Sequence, residues 1–157
     1  MIHETLRRHE GLRLKKYRCP SGHWTIGYGW NLDAHALPSD IAACLRINGA
    51  ISKEMAEWLL NISIDMATMQ CRAIFPHFDD FTERRRAALI DIVFNLGAKG
   101  VMAFKKMLAA IATGDWNEAA HQVNDSAYWR QLGGDPAGTD DGKLERPEEI
   151  AQMLREG

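Results

Sequence analysis

Residues 9–32 read HEGLRLKKYRCPSGHWTIGYGWNL, and the architecture of the chain follows from how this stretch folds. Two β-prone runs, LRLKKYR (12–18) and HWTIGYGW (23–30), flank Cys19-Pro20-Ser21-Gly22, a four-residue turn signal, so a β-hairpin is expected. Alternation along the second run puts Trp24, Ile26, Tyr28 and Trp30 on one face and Thr25, Gly27 and Gly29 on the other. The second face is nearly bare of side chains. Glycines so spaced serve either a bulge and tight packing or the close approach of a ligand to the backbone. Glu10 stands just before the hairpin, at the end of a short helix expected over residues 2–9.

Beyond the hairpin the apolar period becomes helical. SDIAACLRI starts at Ser39 and stops at Asn48-Gly49. Ser52 is placed to cap a long helix running to Phe75, with Met55, Trp58, Leu59, Ile62, Met66 and Met69 recurring at spacings of three and four, and Pro76 ends it. Thr82 precedes ERRRAALIDIVFNLG, which should stop at Gly97, and Gly100 separates it from VMAFKKMLAAIAT. Asp115 and Glu118 have capping-box spacing at the head of WNEAAHQVND. Glycines and prolines predict a loop over 133–147, and PEEIAQML reads as a last helix with Pro147 in its first turn.

The chain has 157 residues, 46% of them hydrophobic and 25% charged, which is enough for one hydrophobic core without disulfides or metals. Its formal net charge of -2 argues against a nucleic-acid binder, a class that presents a basic surplus to phosphates. Basic residues crowd the start (Arg7, Arg8, Arg13, Lys15, Lys16, Arg18) and acidic ones the end (Asp135, Asp140, Asp141, Glu145, Glu148, Glu149), a pattern that solvated faces explain. Cys19, Cys44 and Cys71 are in no metal-ligand or redox spacing, so no structural disulfide is expected. The opening MIHETLRRHEG has no apolar run and nowhere do 18 uncharged apolar residues occur together, so neither a leader nor stable membrane insertion is expected.

Familiar catalytic motifs are missing. GYGWNL lacks the third glycine and following helix of a dinucleotide site. The six histidines include no i, i+4 pair with a third ligand, and no GxSxG elbow occurs. What remains is Glu10, followed by a turn cysteine and a glycine-faced strand. A lone carboxylate at a helix end is ordinarily a solvated surface group, and a turn cysteine ordinarily has no task.

Taken together, residues 9–32 resemble the opening of the bacteriophage lysozymes, whose catalytic signature is Glu, eight residues, Asp or Cys, five residues, Thr. Glu10, Cys19 and Thr25 match it with both spacings. ISKEMAEWLLNISI (51–64) resembles the start of that family's interlobe helix, RRRAALIDIVFNLGAKGVMAF (84–104) its buried central helix, and GDWNEAA (114–120) the start of a later one. The similarity runs in register from about residue 3 to 130.

The resemblance implies an α+β lysozyme-like fold. A small N-terminal β-hairpin lobe (1–52) and a larger helical C-terminal lobe (75–157) would be joined by a long helix (53–74), within a single domain. It implies a muramidase that cuts the β-1,4 bond between N-acetylmuramic acid and N-acetylglucosamine in bacterial peptidoglycan, with no cofactor and no metal. Such cleavage needs a proton for the leaving oxygen and a nucleophile at the anomeric carbon. Glu10 would be the general acid, a role that an apolar surrounding favours, and Thr25 would hold the attacking water. Cys19 is a base, a nucleophile or a water-orienting group; the base is favoured, and it would need activation, because an ordinary thiol is only a few per cent ionised at pH 7. Arg18 and His23 are near enough in sequence to supply positive charge. By the same resemblance Asn31, Phe94, Asn95, Met107 and Gln122 would line the sugar site, although a Phe on a central helix is more often core. Trp30 stands where relatives usually have His, and Glu145 precedes Arg146 where two basic residues are common, so no substrate role passes to Arg146.

Lytic transglycosylation through Glu10, or a non-catalytic wall-binding module of the same fold, are the alternatives; Thr25 argues for water as acceptor. A monomeric phage endolysin is implied, made in the host cytoplasm and reaching the periplasmic wall only when a separate membrane-permeabilising protein, a holin, releases it.

Overall fold

In a computed structural model the described residues are 1–125 and 145–157. Most of the loop expected over 133–147, with Asp135, Asp140 and Asp141, lies outside them. The architecture is α+β: a three-stranded antiparallel sheet near the N-terminus and helices after it. The chain divides into two compact units, one of residues 3–65 and one of residues 1–2 with 66–157.

In the first unit, α1 (Ile2–Glu10) ends where Gly11 takes a left-handed φ of 66° and its amide bonds back to the Arg7 carbonyl. A residue with a side chain is strained there, so the glycine makes Glu10 the last helical residue. Strands β1 (Arg13–Arg18), β2 (Trp24–Gly27) and β3 (Trp30–Asn31) follow in the spatial order β1-β2-β3. The second β run is therefore not one strand. Gly27 and Gly29, at φ 67° and 81°, turn the backbone at Tyr28 and begin β3, so the expected alternation breaks after Gly27. A Cβ on Gly27 would lie 3.5 Å from Cβ of Ala56, an ordinary contact, so it is the left-handed φ that calls for glycine here while its backbone packs on a helix. Ile26 is fully buried beside it.

Helix α2 (Ser39–Asn48) ends at Gly49, again left-handed. Helix α3 (Lys53–Ile74) begins where the Ser52 hydroxyl accepts the Met55 amide at 3.2 Å, and the division between the units falls inside it. Its buried stripe is Ala56, Leu60, Ile64, Ala67 and Cys71 with Leu59, whereas Trp58 and Met69 are 47% and 69% exposed. The apolar period placed the helix, but its largest apolar side chains do not mark its core face. Leu59, Leu60 and Ile64, interleaved with Ala56, Ala67 and Cys71, do.

In the second unit, α4 (Glu83–Met102) is capped by Thr82 and broken at Gly97, where φ is 67° and ψ 164°. Helix α5 (Lys105–Ala112) starts later than the sequence suggested, and α6 (Trp116–Asn124) is capped by Asp115, whose carboxylate accepts the Glu118 amide at 3.0 Å. The last helix, α7 (Arg146–Glu156), packs against α6 and α4. No single helix among the described residues is long and apolar enough to cross a membrane.

Among the described residues of this unit, a charged pair joins α7 to the buried Asp91 of α4. Arg146, at the head of α7 and 12% exposed in its side chain, donates from Nε to Oδ1 of Asp91 at 2.8 Å, and Asp91 is fully buried in the middle of α4. Removing one member leaves the other charged in a medium that does not solvate it, so Asp91→Ala should lower stability by about 3–5 kcal/mol. Urea denaturation of the two proteins checks this; a loss below about 1 kcal/mol would mean that water reaches Arg146 readily.

Candidate active site

Glu10, Cys19 and Thr25 all lie in the unit of residues 3–65, on three successive pieces of chain: the end of α1, the exit of β1 and the second residue of β2. Strand register aligns Tyr17, Thr25 and Asn31 across the sheet, with Thr25 central. Directly opposed residues share a face, so these three side chains form a row. Thr25 is 4% exposed. The Glu10 carboxylate has its Oε1 shut off from solvent. Tyr17 is half-buried; burial raises its phenol first and the charges of Glu10 and Cys19 raise it further, against Arg13, which lowers it.

Cys19 is fixed by the turn it opens. Its carbonyl accepts the Gly22 amide at 2.8 Å, and its own amide donates to the His23 carbonyl at 3.0 Å. The half-buried sulfur lies 2.9 Å from the Ser21 hydroxyl. The thiol is lowered to about 7, first by the hydrogen bond with Ser21 and then by Thr25 and the backbone at His23 and Ser21, against the opposing effect of desolvation. Donors favour the ionised form, which accepts their bonds.

The positive charge expected from Arg18 and His23 is not the cause. The Arg18 guanidinium donates to the Gly22 carbonyl at 2.6 Å and lies 4.4 Å over the Trp24 ring, while His23 Nδ1 faces Asp33 at 3.4 Å. Neutral donors do the work that the sequence assigned to cations.

The Thr25 hydroxyl donates to the His23 carbonyl at 3.2 Å and also reaches Cys19. It has one proton for two acceptors, and its oxygen can still accept a bond from a water. Trp30, the departure from histidine, is 6% exposed and donates from its indole to the His35 carbonyl at 3.3 Å. Asn31 commits Oδ1 to the amides of Asp33 and Ala34, at 2.9 and 3.1 Å, and so closes the turn after β3.

The other expected sugar contacts belong to the helical unit. Met107 and Gln122 meet there in one depression of about 330 Å³ with Phe104, Lys105 and Lys106. Phe94 is half-buried and Asn95 exposed on α4, and neither lines that depression. Met107 is 1% exposed, and Gln122 donates to Glu118 at 2.7 Å.

Sequence reasoning missed Ser21, Tyr17 and the support beneath α1. Arg7 donates twice to Glu57 of α3, at 2.6 Å from its closer nitrogen, and the Tyr28 hydroxyl donates to the same carboxylate at 3.0 Å. Glu57 is held low, chiefly by the Arg7 bond. The pattern Arg7, Tyr28, Glu57 carries no local signal.

Comparison with known proteins finds similarity to phage lysozymes. The phage lysozyme family model matches residues 7–142. The chain is 31% identical over 149 residues to the pre-baseplate central spike protein of Enterobacteria phage T4, covering 83% of this chain and 25% of that protein. It is 30% identical over 117 residues to an endolysin of Acyrthosiphon pisum secondary endosymbiont phage 1, covering 73% and 69%. With a probable T4-type lysozyme of Dictyostelium discoideum it shares 26% over 148 residues, covering 83% and 85%.

Cys19 and Cys71 should separate by reactivity. Cys19 titrates at about 7, whereas burial pushes Cys71 up to about 12. Only the thiolate is alkylated. Iodoacetamide labelling followed by peptide mass spectrometry should show half-maximal Cys19 labelling near pH 7, with Cys71 unlabelled in the folded protein. Equal labelling of the two would contradict the geometry.

Proposed function

Because this chain belongs to the phage lysozyme family, we propose that it is a muramidase, hydrolysing the β-1,4 bond between N-acetylmuramic acid and N-acetylglucosamine. The family supports the coarser part, a peptidoglycan-lytic enzyme of glycosidase type. The finer part rests on one observation: a Cys19 sulfur 2.9 Å from the Ser21 hydroxyl, its thiol lowered to about 7, within reach of the buried Thr25 hydroxyl.

In this mechanism Glu10 gives its proton to the glycosidic oxygen as the C1–O bond breaks. Thr25 accepts a hydrogen bond from a water and holds it toward C1. Cys19 takes a proton from that water as the new C–O bond forms, so water divides between the product hydroxyl and the sulfur. Release of that proton to solvent and reprotonation of Glu10 restore the starting state. Asn31 in the N-terminal unit, and Phe94, Asn95, Met107 and Gln122 in the helical unit, are each proposed to contact the glycan. The enzyme would work as a monomer without cofactor, reaching the wall from the host cytoplasm through a lesion made by a separate protein.

A Thr25 hydroxyl oxygen able to accept a bond from a water favours hydrolysis over transglycosylation, which excludes water. Mass spectrometry of muropeptides released from purified peptidoglycan distinguishes them. The wild type should yield reducing muramic acid ends, and Glu10→Gln should be slower by about 10²-fold or more. Anhydro-muramic ends would replace hydrolysis by transglycosylation. No products from the wild type would leave a wall-binding module.

A further inference from the structure

The turn Cys19-Pro20-Ser21-Gly22 lies in the connection between β1 and β2. Pro20 fixes its own φ near -65°. The Gly22 amide closes the turn on the Cys19 carbonyl at 2.8 Å, and Gly22 itself has a φ of 86°. Arg18 then ties the Gly22 carbonyl from outside at 2.6 Å. Ser21 is exposed to solvent, so no crowding forces its side chain toward the sulfur. The turn places it, and its Oγ lies 2.9 Å from Sγ of Cys19.

A base in the hydrolysis must be ionised before the reaction and protonated after it, and one contact serves both states. A hydroxyl can donate to a thiolate or accept from a thiol. Thr25, the other hydroxyl at the sulfur, spends its proton between Cys19 and the His23 carbonyl. Ser21 has no second acceptor of that kind in the turn.

We propose that Ser21 is a positioning residue for Cys19: its hydroxyl donates to the ionised sulfur, holds it in the proton-accepting state, and accepts the S–H once water has given up its proton. This rests on Cys19 being the base.

The charged and titratable groups around the sulfur leave that task to neutral donors. On β1, Arg18 is turned to the Gly22 carbonyl and the Trp24 ring, and the Tyr17 phenol feels both Cys19 and Glu10 of α1. In the turn, His23 faces Asp33. Because no cation carries the effect, ionisation of Cys19 should be nearly insensitive to salt.

Site-resolved alkylation of Cys19 against pH, in the full-length wild type, Ser21→Ala and Ser21→Thr, tests this together with the pH profile of wall lysis. In Ser21→Ala the labelling midpoint should climb from about 7 toward the roughly 8.5 of an ordinary thiol. The acidic limb of lysis should climb with it, slowing the reaction below the midpoint about tenfold for each pH unit moved. Ser21→Thr, which keeps the hydroxyl, should restore both. An unmoved Cys19 midpoint in a folded Ser21→Ala protein overturns the proposal. A moved midpoint with an unmoved lysis profile supports the action of Ser21 on the sulfur and instead removes Cys19 as the base.

Discussion

The N-terminal unit depends on one carboxylate. Glu57 of α3 receives Arg7 from α1 and the Tyr28 hydroxyl from the turn between β2 and β3. One residue earlier, Ala56 packs against Gly27, whose left-handed φ of 67° favours a residue without a side chain. These contacts seat the helix that ends in Glu10 and the strand that carries Thr25 on the same stretch of α3. Arg7 is 43% exposed in its side chain, so its pair with Glu57 is worth little as bulk stability. Its value is geometric, because a two-point guanidinium contact fixes direction as well as distance.

From that seat the chemistry follows locally. Gly11 stops α1 at Glu10, Gly27 and Gly29 turn the chain back, and the four-residue turn aims Cys19 at Ser21. A carboxylate at position 19 would be ionised at neutral pH without assistance. A thiol is not, and the turn compensates with hydroxyl and amide donors. Neutral donors stabilise the anion without placing a competing cation beside the proton donor.

Features written in neighbouring residues were legible in the sequence. Ser52, Thr82, Asp115 and Gly49 cap or stop helices where expected, since capping depends on residues within one turn. The hairpin and the order Glu10, Cys19, Thr25 were legible for the same reason, aided by resemblance. Facing was less so: Trp58 and Met69 fit an apolar stripe yet point outward, because the buried stripe of α3 runs through Ala56, Leu60, Ile64, Ala67 and Cys71 instead. The third strand was hidden by an alternation that continues across the Tyr28-Gly29 turn. Asp91 and Arg146 stand 55 positions apart and only folding pairs them. Arg18 and His23 misled because proximity in sequence says nothing of direction; each turns to a partner other than the sulfur.

The central claim is that the thiol of Cys19, held ionised by its turn, is the group that takes the proton from water. Its most direct test is the pH profile of muropeptide release by wild type and Cys19→Asp. The account places the acidic limb of the wild type at about 7. In Cys19→Asp the limb should drop toward the carboxylate range, near 4, with activity retained at neutral pH. An acidic limb that stays in place when the thiol becomes a carboxylate would contradict the account, because the ionisation governing the rate would then belong to another group.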